Sequence, residues 1–395
     1  MIIYSALTAR TLVGLQKTKK RMIFENKKIL IKQTMAAAMI ISLLADGPAI
    51  AFETGSSELE INTPTISSIN KPAPSPMGIF GADMPEKGKF LLSIMPIFAS
   101  FSGQLIGNKG VSSQYVVMTT PTYSNPAEFM RVVPQQVPVS TQSAILSYGY
   151  TDKLTVVVTA SIVQKQLYAL TFLGNTGGLP LGASYTGTSG FSDLTTIGIY
   201  KIYQDETHRI QINSGFAYPL STDTEKISLL QSNATYSNER AFYSLQPGAR
   251  TFDFLPGIVY AGNTDALSWG LSYRGRLPLA NNPQGWRFGD LHEFNAWIGY
   301  NVLPSITSTV RVTGTTQTQI HGSDSQISGG SVPTDPNFYG GQLAEIFAGS
   351  VLDGEQLGFK GCSLALEAGI PFYQNLNGPQ IRKNWQSGLS LKIKM

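Results

Sequence analysis

The segments of this chain that read as strands are joined by connections alternating between long and short. Strand-like runs cover approximately 89–101, 141–151, 154–164, 191–203, 209–218, 252–261, 266–277, 289–301, 306–317, 338–352, 361–374 and 381–395. Long or medium connections at 102–140, 165–190, 219–251, 278–288, 318–337 and 375–380 alternate with shorter ones. These are Asp152-Lys153, Gln204 to His208, Gly262 to Asp265, Val302 to Ser305 and Asp353 to Lys360. Strict alternation gathers every long connection at one end of an antiparallel sheet. That predicts an all-β chain, a transmembrane antiparallel β-barrel of about 12 strands with short periplasmic turns and long extracellular loops.

The individual runs carry the period that such a wall needs. Leu267, Trp269, Leu271 and Tyr273 alternate with Ser268, Gly270, Ser272 and Arg274, and Phe294, Ala296, Ile298 and Tyr300 alternate with Glu293, Asn295 and Trp297. Successive strand side chains point to opposite faces, so each run has one apolar face and one small or polar face. A soluble β-sandwich produces the same alternation. The connections are what favour the barrel.

Composition agrees without deciding. Charged residues make up 14% of the 395 positions, below the roughly 25% of soluble globular chains, while mean hydropathy is −0.00. The first 51 residues carry +6 of the formal +4, which leaves the rest at −2. Nucleic-acid binding therefore has no electrostatic support. One cysteine, Cys362, and three histidines, His208, His292 and His321, give no basis for a metal or cofactor site. No GxSxG, HExxH, P-loop or GxGxxG pattern is present, so no enzyme is expected.

Lys27, Lys28 and Lys32 precede the apolar run Met35 to Leu44, which ends in Gly47-Pro48 and Ala49-Ile50-Ala51. This basic, apolar and cleavable order predicts a signal peptide over 1–51, with Met22 as an alternative start. Residues 52–80, rich in Ser, Thr, Pro and Asn, read as a flexible tether that lies outside the barrel or folds partly into its lumen. The barrel is expected over 81–395.

Tyr150, Tyr203, Tyr260 and Tyr300 each precede a short turn by one to five residues. That places an aromatic girdle at one membrane boundary. On the opposite strand faces, Arg274, Arg276, Glu293, Arg311, Glu345, Glu367 and Lys392 alternate largely in sign from strand to strand. They are candidates for the lumen or its constriction. A salt-bridge lattice, a solute-selecting ring and ties that hold loops are the three readings. Asp83 in GADMPEKG and Asp193 in GFSDLTT read as strand-start caps, and Met77, Asp83 and Met84 lack metal-ligand spacing.

Several stretches resemble the meta-pathway phenol-degradation family, taken as outer-membrane transporters. They are SPMGIFGADMPEKGKFLLSIMPIFASFSG from Ser75, RVVPQQVPVSTQSAILSYGYTDKLTVVV from Arg131, GTSGFSDLTTIGIYKIY from Gly187, INSGFAYPLST from Ile212 and the QPG at Gln246 to Gly248. The chain departs from the usual barrel ending, because Met395 replaces a terminal aromatic. The resemblance implies a channel for small molecules, hydrophobic or aromatic compounds among them. The expected partners are outer-membrane lipids, the solute and the barrel-assembly machinery. The alternative is a surface-exposed barrel whose long polar loops contact partners.

Overall fold

The computed structural model describes residues 74–395. The signal peptide and the tether as far as residue 73 lie outside them. The strands of five or more residues are β1 (Phe90–Gly107), β2 (Val132–Gly149), β3 (Leu154–Phe172), β4 (Pro180–Gln204), β5 (His208–Tyr218), β6 (Lys226–Leu230), β7 (Tyr236–Arg240), β8 (Gly257–Asn263), β9 (Leu267–Pro278), β10 (Leu291–Leu303), β11 (Ile306–Gln317), β12 (Gly341–Asp353) and β13 (Cys362–Lys394). All but β6 and β7, which pair with each other, lie in one antiparallel sheet. Its order is β8-β9-β10-β11-β12-β13-β1-β2-β3-β4-β5, and β5 pairs back onto β8. The sheet is therefore a closed barrel. Closure leaves no free edge, which a wall in lipid requires.

Eleven continuous strands make the wall, and the last of them crosses it twice. β13 is antiparallel to β12 from Ser363 to Leu376 and antiparallel to β1 from Leu376 to Lys394. Its two halves run in opposite directions and turn at Gly378, whose φ of 71° suits glycine. The turn is tight enough to keep strand geometry, so the medium loop expected at 375–380 is absent.

The first four strands are longer than their alternation suggests. β4 extends down to Pro180 and β3 up to Phe172, leaving only 173–179 of the long connection expected at 165–190. β2 likewise begins at Val132, inside the expected loop 102–140. A bilayer needs roughly 9–11 residues per strand. The surplus in these strands of 18 to 25 residues projects beyond it at the long-loop end. There Gly, Ser, Gln and Pro replace the apolar alternation, because neither face meets lipid.

Burial is inverted relative to a water-soluble protein. Leu271, Phe294, Ile298, Val310, Val312, Ile346, Leu366 and Ile370 are exposed, while Glu293, Arg311, Glu345 and Glu367 are buried. A contiguous exposed apolar face of this kind marks a membrane surface. Among the described residues no helix is long and apolar enough to cross a membrane.

The lumen is filled from both ends. From the short-turn end, residues 74–88 dip inside as a plug, with the Pro74 carbonyl beside Gly299 and the Glu86 carbonyl against Gly149. Pro74 and Pro76 keep this segment out of helix, and Ile79 N–H closes a turn on Pro76 O (3.1 Å). The stretch 74–80 of the expected tether is thus packed rather than free. Its Ile79 and Ala82 bury against Val259 and Trp297, and its Phe80 and Met84 against Val157, Ile197 and Ile199.

From the long-loop end, connections expected as solvated polar loops fold inward as a lid. Ile227, Leu229, Phe242 and Leu245 pack on Val132, Leu167 and Ala169 of the inner wall. Tyr243, Trp286, Ile320 and Ile327 form a second cluster, joining three loops. Helix α1 (Ser113–Thr119) is capped by the Ser112 hydroxyl and buries Val116 and Val117 against Met130, Val133, Phe172 and Val332. Apolar residues inside sequences rich in Ser, Asn and Gln drive this inward folding. Burial pushes the Tyr243 hydroxyl up to about 12 and raises the carboxyls of Asp223 and Asp335.

Candidate functional site: a lumenal cavity

Between plug and lid lies a cavity of about 320 Å³. Five strands supply its polar side from inward-facing positions: Arg274 from β9, Glu293 from β10, Arg311 from β11, Glu345 from β12, and Glu367, Lys383 and Lys392 from the two halves of β13. The remaining candidate, Arg276, stands one inward position beyond Arg274, at a second cavity toward the lid. The apolar side comes from Ile97, Ile145, Val157, Ile199 and Phe347 of the wall and from Met77, Ile79 and Phe80 of the plug.

The charges form a lattice. Arg274 stands opposite Glu293 in the register, and Arg274 Nη2 donates to Glu293 Oε2 (2.7 Å). Glu293 also accepts from Asn295 Nδ2 (3.0 Å), and Asn295 Oδ1 accepts from Arg311 Nη1 (2.8 Å). Arg311 grips Glu367 through two parallel bonds of 2.9 Å, and its guanidinium lies 4.0 Å from the Phe347 ring centroid. Such a forked pair fixes orientation as well as charge. Glu345 binds Lys383 at 2.7 Å.

Lys392 binds Asp83 of the plug. Arg209 and Gln211 of β5 donate to the plug carbonyls of Ala82 and Gly81. Arg276 grips Asp193 at 2.8 Å through both terminal nitrogens and Asp253 at 2.6 Å through Nε.

Several of these partners differ from the sequence reading. Asp83 and Asp193 are ion-pair partners of Lys392 and Arg276, not caps of backbone N–H groups. Lys383 and Asp253 carry no signal in the sequence, since neither stands on a clear period-two run. Arg311 stands opposite Trp297 of β10 in the register, four residues along the strand from Glu293. Of the tyrosines, Tyr150, Tyr203 and Tyr300 are exposed on the outer surface, while Tyr260 is half-buried and bonds His208 Nδ1 at 3.0 Å. Tyr203 donates to Asp205 (2.5 Å) in the following turn, and that bond, with the N–H groups of His208 and Thr207, holds the Asp205 carboxyl down at about 2.

Four cations around the main cavity (Arg274, Arg311, Lys383 and Lys392) meet four anions (Asp83, Glu293, Glu345 and Glu367). The lining therefore carries no net charge. An ionic solute would have to displace a partner from one of these pairs to be compensated, and two of them, Arg311–Glu367 and Lys383–Glu345, are buried, where that is costly. A neutral solute would not.

No protein-family model matches the chain, and no curated protein matches it. Among solved structures, the chain is similar to an outer membrane channel from Pseudomonas putida F1, with 12% identity over 79% of this chain and 97% of that one and a TM-score of 0.48. It is also similar to the Pseudomonas putida toluene transporter TodX, with 8% identity, 78% and 90% coverage and a TM-score of 0.38. A third likeness is to the NanC porin, with 9% identity, 75% and 98% coverage and a TM-score of 0.35.

Proposed function

We propose that this protein is an outer-membrane channel passing small, uncharged hydrophobic or aromatic molecules through the barrel lumen. The observation that carries the proposal is the charge-compensated cavity of about 320 Å³ inside a closed wall whose apolar residues face outward. An apolar cavity of roughly 150 Å³ already admits benzene, so a one- or two-ring solute fits. Passage requires the plug to yield, since Met77, Ile79 and Phe80 form the cavity's floor. The motif resemblance points toward monoaromatic compounds of the phenol-degradation type. Export through the 1–51 signal peptide and insertion by the barrel-assembly machinery complete the reading, with Tyr150, Tyr203, Tyr260 and Tyr300 seated at the bilayer boundary.

Inward folding of the lid favours this reading over a surface barrel with partner-binding loops, because Tyr243, Leu245 and Ile327 are buried against the molecule itself. The test is solute flux into proteoliposomes containing the full chain. Toluene and phenol should enter faster than in protein-free vesicles, and benzoate should not. A barrel that passes none of the three, or passes benzoate best, would sink the proposal.

A further inference from the structure

The second cavity, of about 220 Å³, lies directly beyond the first toward the lid. The two share strands: Arg276, Leu291 and Gln317 border the second where Arg274, Glu293 and Thr315 border the first. Lys165 and Arg276 there are balanced by Asp193 and Asp253, so this chamber too is neutral. Two of its bordering side chains are buried with an oxygen left over. Asp253 is 1% exposed and accepts from Arg276 Nε at Oδ2, but its Oδ1 has no partner within the protein. Thr251 is 5% exposed, and its Oγ1 has no partner either. Leaving buried polar atoms unpaired is unfavourable and calls for an explanation.

We infer that this chamber is a binding site for a compact neutral molecule carrying a hydroxyl group. The chemistry of the two orphan oxygens selects that group. The Asp253 carboxylate only accepts, whereas the Thr251 hydroxyl can donate. One ligand hydroxyl, donating to Asp253 Oδ1 and accepting from Thr251, satisfies both. A ketone or ether cannot serve Asp253, and an ammonium would add an uncompensated charge. Phe288 and Leu291 on the same border provide apolar contact for the remainder of the ligand. The chamber's place as a stage before the main cavity rests on the channel reading above, but its ligand chemistry does not.

The test uses the full chain folded in detergent micelles with 4-fluorophenylalanine at position 288, whose fluorine resonance reports on this chamber. Cyclohexanol should shift that resonance saturably, more tightly than cyclohexane or cyclohexylammonium does. Thr251→Val should weaken cyclohexanol binding about fivefold, the equivalent of one neutral hydrogen bond, and Thr251→Ser should retain it. Heat-modifiable gel mobility checks that each variant is folded. Three results would each overturn the site: no saturable shift, equal binding of cyclohexane, or unchanged affinity in Thr251→Val. A barrel that binds cyclohexanol here but passes no solute would leave the site standing and remove the channel reading. A barrel that passes solute without this binding would do the reverse.

Discussion

Gly78 of the plug lies flat against the guanidinium of Arg311, so close that a Cβ at position 78 would overlap it. Arg311 cannot step aside, because Glu367, Asn295 and Thr313 hold its nitrogens and Phe347 lies beneath its plane. In Gly78→Ala the plug is therefore the part that moves. Proteoliposomes carrying that variant should admit toluene several-fold faster than wild type, with unchanged strand content by circular dichroism. An equal or slower rate would show that the plug does not limit passage.

Removing one member of the Arg311–Glu367 pair strands the other, since the two side chains are only 5% and 2% exposed. Arg311→Met should cost about 3–5 kcal/mol, the usual penalty for leaving a buried partner charge uncompensated. Arg311→Met with Glu367→Leu should recover most of that loss. Reversible urea unfolding in lipid vesicles measures both. A double variant no better than the single one would mean that packing rather than charge dominates here.

Lys165 ties the lid to the wall. Its Nζ donates to the carbonyls of Ser244 (2.9 Å) and Gln246 (2.6 Å), on either side of the buried Leu245. Lys165→Met keeps the stem and removes the donors, at about 2 kcal/mol for hydrogen bonds from a charged group. Amide exchange in residues 243–248 should accelerate by more than tenfold while the strand amides stay protected. Unchanged exchange would assign the lid's stability to its apolar clusters alone.

The lid should also respond to pH. Burial raises the carboxyls of Asp223 and Asp335, so the folded lid holds their protons more tightly than the unfolded chain does. Stability from this source is complete below the ordinary carboxylate range and is lost as pH rises through the raised values. Protection factors in 219–252 and 331–339 should therefore increase as pH falls from neutrality toward the ordinary carboxylate range. Asp335→Asn should flatten the response around that residue. Protection that falls on acidification would contradict it.

The wall was legible in sequence wherever a strand meets lipid on one side and side chains on the other. β5, β9, β10 and β11 lie within two residues of their period-two runs. The pairing of Arg274 with Glu293 follows as well, because the two residues are equidistant from one loop and neighbouring strands must place them opposite. Arg311 and Glu367 come from strands separated by β12, and no local spacing announces a contact that skips a strand. The outer halves of β2, β3 and β4 are illegible for a different reason. With no lipid there, nothing forces alternation. The lid and the plug read as polar linkers because their few apolar anchors, such as Ile79, Leu229 and Tyr243, are scattered without a period.

The seam between β1 and β13 joins Leu91 to Lys394, opposite ends of the described chain, and is continued by the Phe90–Met395 backbone pair. Every other wall contact except the one between β5 and β8 joins strands consecutive around the wall and close in sequence. Ring closure of the barrel must therefore wait for the farthest-separated partners to meet, and the entropy of that loop makes it the late step of assembly. Residues 74–88 run without a break into β1, so the same event that zips the seam also encloses the plug. Folding and corking are then a single transition, and a half-built barrel has neither a finished wall nor an occupied bore.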